Sequence, residues 1–217
     1  MPPFPIVDSH IHLFPSTHLS TLAWWTPDSP LNGQHSVSEY KNAVSHSPVA
    51  QSLRGFIFIE TDRISSTTPE DWAHVEQELS FLLRIVNGRP IAGEGHDASD
   101  KNLCLGIVPW APVPAGREVM GIYLQLVFDS TGSMWGKVKG FRYLVQDKKC
   151  GTMTTKEFGE GLDLLGEKGL VFDLGIDVRQ AGLWQLKDAL AMVSGIVRRS
   201  EGKEEKMVTI VISMSGY

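Results

Sequence analysis

The sequence predicts an α/β fold of the (β/α)8 barrel type, present as about six βα units in one domain spanning residues 1–217. Three observations carry this reading. Apolar, strand-like runs alternate with helix-like stretches at intervals of roughly 30 to 50 residues, the rhythm of βαβ units and a parallel sheet. No glycine-rich phosphate turn, neither GxGxxG nor GxxxxGKS/T, follows any strand, so the main signature of a doubly wound open sheet is missing. Polar and aromatic residues fall repeatedly at the carboxyl ends of strands, where a barrel carries its chemistry. A full barrel takes about 250 residues, so six strands in a 217-residue chain predict an incomplete one.

The first strand, at about 6–9, ends in Asp8-Ser9-His10-Ile11-His12. Residues i and i+2 of a strand share a face, so His10 and His12 project together from the end of a buried strand with Asp8 in line behind. Residues 15–34 hold prolines, a glycine and the pair Trp24-Trp25, and read as a long, ordered connection. Ser36-Val37-Ser38-Glu39 has the form of a capping box opening a helix to about Ser45. The second strand, 53–60, is apolar almost throughout and ends at Glu60. Thr68-Pro69-Glu70-Asp71 resembles a helix start, and apolar residues at three- and four-residue spacing extend that helix to Val86, before Asn87-Gly88.

A third strand at 103–108 leads to Trp110. Then follow a helix at 118–128 and a fourth strand at 138–143 containing Arg142. A glycine-interrupted helix at 156–168 precedes a fifth strand at 170–176, which carries Asp173 and is followed by Asp177. A helix at 181–198, a charged solvated loop at 198–206 and a sixth strand at 207–213 complete the chain.

Composition places the chain among ordinary globular proteins, with 42% apolar and 21% charged residues. The net charge of −5 argues against nucleic-acid and anionic-membrane partners. Two cysteines without a CxxC spacing predict a reducing compartment. No secretory signal and no apolar run of membrane-spanning length is present, so the expectation is a cytoplasmic protein.

The histidine pair is the best candidate for chemistry, since neutral imidazole is the commonest metal ligand. Its bland alternative is a polar strand end bonded to loop backbone. Arg142 suits a substrate carboxylate or, equally, an ion pair with a carboxylate such as Glu60. Trp24, Trp25 and Trp110 could line a sugar site or simply pack. Asp173 could ligate a metal or cap its own turn. His35, His46, His74 and His96 read as solvated.

Asp8-Ser9-His10-Ile11-His12 resembles the HxH signature of the amidohydrolase superfamily. Leu22-Ala23-Trp24-Trp25-Thr26-Pro27, Phe58-Ile59-Glu60-Thr61-Asp62-Arg63, Gly106-Ile107-Val108-Pro109-Trp110-Ala111-Pro112 and Gly140-Phe141-Arg142-Tyr143-Leu144 narrow the resemblance. They look like the amidohydrolase-related branch, and within it fungal proteins of the L-rhamnono-gamma-lactonase type. The resemblance implies a (β/α)8 barrel and a divalent metal, zinc first, on His10 and His12. It also implies an arginine, here Arg142, on the substrate's carboxylate or carbonyl, and hydrolysis of a sugar-acid lactone.

The family's later Ile-x-His-x-Gly pattern corresponds to Ile212-Ser213-Met214-Ser215-Gly216, with Met214 in the histidine's place, and its last-strand aspartate has no counterpart before Tyr217. All seven histidines lie at or before position 96. Glu60, Asp173 and Asp177 are therefore the candidates for a third ligand or a general base. The alternatives are a catalytically silent, truncated barrel fragment that self-associates through open strand edges, and an aromatic-acid decarboxylase of the same branch.

Overall fold

The computed structural model describes residues 4–48, 50–179, 182–202 and 206–214. These residues form two compact units.

The first unit comprises residues 1–65, 72–109 and 130–138. Strands β1 (Ile6–Ile11), β2 (Leu53–Ile59) and β3 (Cys104–Val108) form a parallel sheet in the order β1-β2-β3. Phe56 and Phe58 of the central strand are fully buried. β1 departs from the expected buried strand: Ile6 and Val7 are exposed and only Ile11 is buried. It pairs only with β2 among the described residues, so one of its edges and much of its surface lack cover. Its register slips between Asp8, opposite Phe56, and Ile11, opposite Phe58. This irregularity, of the kind a β-bulge makes, takes in His10 itself.

Helix α1 (Val37–Ser45) starts where the capping box predicts, with Ser36 N–H donating to the Glu39 carboxylate at 2.9 Å. Helix α2 (Ala73–Asn87) begins later than Thr68-Pro69 suggests, because Pro69–Asp71 closes a separate 3-10 turn. It stops at Gly88, whose φ of 62° is the left-handed conformation that a helix end favours and glycine tolerates. Val75, Leu79, Leu82, Ile85 and Val86 form its buried stripe.

The second unit comprises residues 66–71, 110–129 and 139–217. Strands β4 (Gly140–Arg142), β5 (Val171–Ile176) and β6 (Thr209–Met214) form a parallel sheet in the order β4-β5-β6. β4 is shorter than predicted, since Val138 instead makes an isolated parallel bridge to Ile107. Helices α3 (Gly116–Thr131), α4 (Lys156–Glu167) and α5 (Trp184–Ser200) match the predicted helices within a few residues. Residues 180 and 181, at the predicted start of the last helix, lie outside the described residues, as do 203–205 of the charged loop.

α4 forms despite its glycines because they are close-contact positions. A Cβ on Gly161 would sit 2.5 Å from the Val113 carbonyl oxygen. Phe158 then packs edge-on against Phe172 of β5, with centroids 5.8 Å apart. Among the described residues no helix is long and apolar enough to cross a membrane.

Candidate metal and substrate residues

His10 and His12 lie at and just beyond the end of β1, exposed, with ring centroids 5.0 Å apart. Their Nε2 atoms approach to 3.3 Å. Two nitrogens bound to one tetrahedral zinc at about 2.0–2.1 Å lie about 3.3 Å apart, so the pair has the spacing of two ligands of one ion. The His12 Nδ1–H donates to the Ile59 carbonyl oxygen at 3.0 Å. A carbonyl can only accept, which places that ring's proton on Nδ1 and leaves the Nε2 lone pair directed at the partner ring. Asp8 Oδ1 accepts from the His10 backbone N–H at 3.3 Å. The Tyr40 hydroxyl donates to Asp8 Oδ2 at 3.4 Å, and burial, then the Asp8 charge, pushes the Tyr40 pKa up to about 12. The residues fit a divalent ion as two of its ligands. Among the described residues no group of three or more His, Cys, Asp or Glu side chains could hold a metal ion.

Glu60 follows Ile59 directly and is buried, but its Oε2 accepts from the Asp62 backbone N–H at 2.5 Å. Asp62 has φ 54°, an uncommon conformation for a residue with a side chain, and the bond helps to hold it. Beneath this turn lies a buried charged network that the sequence reading missed. Arg63 Nε donates to Glu78 Oε1 at 3.0 Å, and both side chains are almost fully buried. The same oxygen accepts from the Thr61 backbone N–H at 3.1 Å and from the Thr61 hydroxyl. Arg63 Nη1 donates to the Thr21 hydroxyl at 2.6 Å. One signal was present: Glu78 stands on the apolar stripe of α2, between Val75 and Leu82, where a charge needs a buried partner.

His96 corrects another expectation. Its side chain is fully buried and pairs with Glu94 at 3.3 Å, and its ring and that of His18 each pack edge-on against Phe81 at 5.8 Å. Burial, and next the Arg63 charge, push the His18 pKa down from 6.5 to about 4. The folded protein thus holds His18 neutral while the unfolded chain protonates it below about pH 6.5. The stability this contributes is complete above that pH and is lost as pH falls toward 4. Thermal unfolding at about pH 7 and about pH 5 is expected to show a lower midpoint at the acid value, with a shallower pH slope in His18→Gln. Equal slopes in the two proteins would remove His18 as the cause.

In the second unit, Arg142 of β4 pairs in register with Asp173 of β5, and Arg142 Nε lies 3.5 Å from Asp173 Oδ1. Both side chains are nearly buried. Ser213 of β6 donates to Asp173 Oδ2 at 2.9 Å. Gly175 leaves room for the guanidinium, since a Cβ there would lie 2.5 Å from Arg142 Nη2. Within its own unit, the carboxylate beside Arg142 is Asp173. Asp177 Oδ1 accepts from the Arg179 backbone N–H at 3.0 Å, a local turn cap. Trp110 is buried edge-on against Tyr123 at 5.3 Å, a packing position. In the first unit Trp24 is partly exposed and donates from Nε1 to the Thr61 carbonyl at 3.1 Å, and Trp25 donates to Asn32 at 3.1 Å. Met214 occupies the end of β6 opposite Ile176, and Ser215 and Gly216 lie outside the described residues.

No family model matches the chain. Over 194 residues it is 34% identical to the L-rhamnono-gamma-lactonase of Scheffersomyces stipitis, an alignment covering 88% of this chain and 56% of that protein. Its structure superposes on amidohydrolase 2 from Bifidobacterium longum subsp. infantis with a TM-score of 0.57, at 18% identity and over 95% of this chain and 60% of the other. In sequence the chain is thus similar to a lactonase, and in fold to an amidohydrolase. A second structure of that fold is a zinc-bound amidohydrolase from Burkholderia multivorans, with a TM-score of 0.56 at 19% identity, over 88% of this chain and 54% of the other. These structural likenesses show an α/β fold of the amidohydrolase barrel type. The chain spans about half the length of the curated relative that it matches.

Proposed function

We propose that the chain serves hydrolysis of a sugar-acid lactone, with a divalent metal, zinc first, held by His10 and His12. The observation that carries this reading is the 3.3 Å between the two Nε2 atoms, with the His12 tautomer set by the Ile59 carbonyl. The relative at 34% identity is a lactonase, which supports the substrate class. A metal bound there supplies Lewis-acid polarisation of the lactone carbonyl and a lowered pKa for bound water.

The protein's own groups do the rest. Arg142, held by Asp173, binds the substrate's carboxylate or carbonyl oxygen through its fork of N–H donors. Asp173 is then a positioning residue, because its Oδ1 faces Arg142 and its Oδ2 accepts from Ser213 of β6. Glu60, adjacent to the carbonyl that orients His12, is the carboxylate assigned to take the proton from the attacking water. Asp177 is the second candidate for that step. Trp24, exposed in the connection between β1 and α1, and Trp25 offer rings to a sugar.

One observation favours a second reading, a catalytically silent chain: among the described residues no third His, Cys, Asp or Glu joins the pair. The two readings separate in one experiment. The 217-residue protein is loaded with zinc, its metal content is measured, and a panel of aldonolactones is followed by acid release. Stoichiometric zinc with turnover supports the hydrolase. Metal-free protein without turnover supports the silent chain, and carbon dioxide release from aromatic acids would redirect the reading to decarboxylation.

A further inference from the structure

The two rings of the histidine pair are held by different means. His12 is aimed through its own ring, by the Nδ1–H on the Ile59 carbonyl at 3.0 Å. His10 lies where the pairing of β1 with β2 is irregular, between Asp8, opposite Phe56, and Ile11, opposite Phe58. Regular pairing fixes a strand residue's backbone and so the direction of its side chain, and an irregularity loosens that constraint. Here the His10 backbone N–H donates to Asp8 Oδ1 at 3.3 Å. The other carboxylate oxygen, Oδ2, accepts from the Tyr40 hydroxyl at 3.4 Å. Tyr40 stands on α1, and its ring packs edge-on against Phe56 with centroids 5.3 Å apart. Phe56 is fully buried and is the residue opposite Asp8. The hydroxyl is thus carried by a ring anchored in the core beside the carboxylate that it holds.

We propose that Tyr40 is a positioning residue for the histidine pair: through Asp8 it fixes the backbone at His10, and so the place where the His10 ring meets that of His12. A carboxylate bonded at one oxygen turns about its side-chain torsions, whereas one bonded at both oxygens is held. Removing the hydroxyl therefore frees Asp8, and Asp8 in turn releases the His10 N–H. The Nε2 atoms, 3.3 Å apart, then keep that spacing for a smaller part of the time. Groups that orient a metal's ligands typically contribute 10- to 100-fold to its affinity. The consequence for metal binding rests on the proposed hydrolase site, while the fixing of His10 stands apart from it.

The test compares the intact 217-residue wild type with Tyr40→Phe, Asp8→Ala and the double variant. Tyr40→Phe keeps the ring on Phe56 and removes only the hydroxyl. Two quantities are measured: hydrogen exchange of the His10 amide in metal-free protein, by nuclear magnetic resonance, and the affinity for cobalt(II), from its visible spectrum. In Tyr40→Phe the His10 amide is expected to exchange about 2- to 10-fold faster, the range of one ordinary hydrogen bond, with the Phe58 amide unchanged. Cobalt is expected to bind about 10- to 100-fold more weakly. In the Asp8→Ala background Tyr40→Phe should add nothing, because the hydroxyl acts through that carboxylate. Unchanged exchange at His10 overturns the proposal, and so does equal acceleration at Phe58, which would make Tyr40 a general support of the unit. Effects that add in the double variant overturn it as well, as does faster His10 exchange with undiminished cobalt affinity. A wild type that binds no cobalt sinks the metal reading instead, and the exchange rates of the four proteins then decide the role of Tyr40 by themselves.

Discussion

Replacing His12 with alanine is expected to abolish stoichiometric zinc binding and to lower lactone hydrolysis by about 10³-fold or more, roughly 4 kcal/mol of transition-state stabilisation. The expectation rests on the orientation of the ring as well as its identity. His12 is aimed by a hydrogen bond to the Ile59 carbonyl, and its Nε2 stands 3.3 Å from that of His10. Neither histidine is buried, so the alanine variant keeps its core and its far-ultraviolet dichroism. His10→Ala should behave alike, because with two imidazoles either loss leaves a single one. Binding should also weaken as pH falls below the usual imidazole range near 6.5, since protons compete for the same nitrogens. The measurements are metal content after dialysis, the visible spectrum of the cobalt-loaded protein, and initial rates with an aldonolactone. Retention of one zinc per chain in His12→Ala, with the cobalt spectrum unchanged, would show that the metal sits elsewhere.

The parts of this molecule that the sequence displayed are those set by local rules. The alternation of His10 and His12 follows from strand geometry, and the two rings do meet. Ser36 and Glu39 cap α1 because both partners lie within one turn. Gly88 ends α2 because its conformation is local too. The misses have long-range causes. β1 looked buried because its residues are apolar, yet burial depends on what lies against it. The glycines that interrupt α4 lower its propensity, but Gly161 admits the Val113 carbonyl from another segment. His96 looked solvated in a polar stretch, whereas Phe81 and Glu94 enclose it. The neighbour of Arg142 within its own sheet, Asp173, is set by the register of β4 on β5, which no spacing displays. The histidine pair was thus legible as a pair, while whatever completes it depends on contacts that no spacing encodes.

The largest stability effect is expected at Glu78. Glu78→Ala should destabilise the first unit by about 3–5 kcal/mol, because it leaves the Arg63 guanidinium buried and uncompensated. That is a large share of the roughly 5–15 kcal/mol that holds a typical domain folded. The same change strips the Thr61 N–H and hydroxyl of their acceptor, so the turn from Glu60 to Arg63 loses its anchor. Glu78→Gln separates the two contributions. It keeps an acceptor for Thr61 and Arg63 but removes the charge, and should fall between wild type and alanine. Replacing both ends with apolar residues, Arg63→Met with Glu78→Leu, should recover most of the loss, since a buried pair often only breaks even against a well-packed apolar one. Urea unfolding of wild type, Arg63→Met, Glu78→Leu and the double variant measures this as a double-mutant cycle, with Glu78→Ala and Glu78→Gln unfolded alongside. A Glu78→Ala cost below about 1 kcal/mol would mean that water reaches Arg63 and that the pair is not sealed. If the double variant is stable yet binds zinc more weakly, the network acts on the histidine pair as well. Thr61 lies two residues beyond the Ile59 carbonyl that orients His12, and fixing that short stretch is how a buried ion pair can set the aim of an exposed ring.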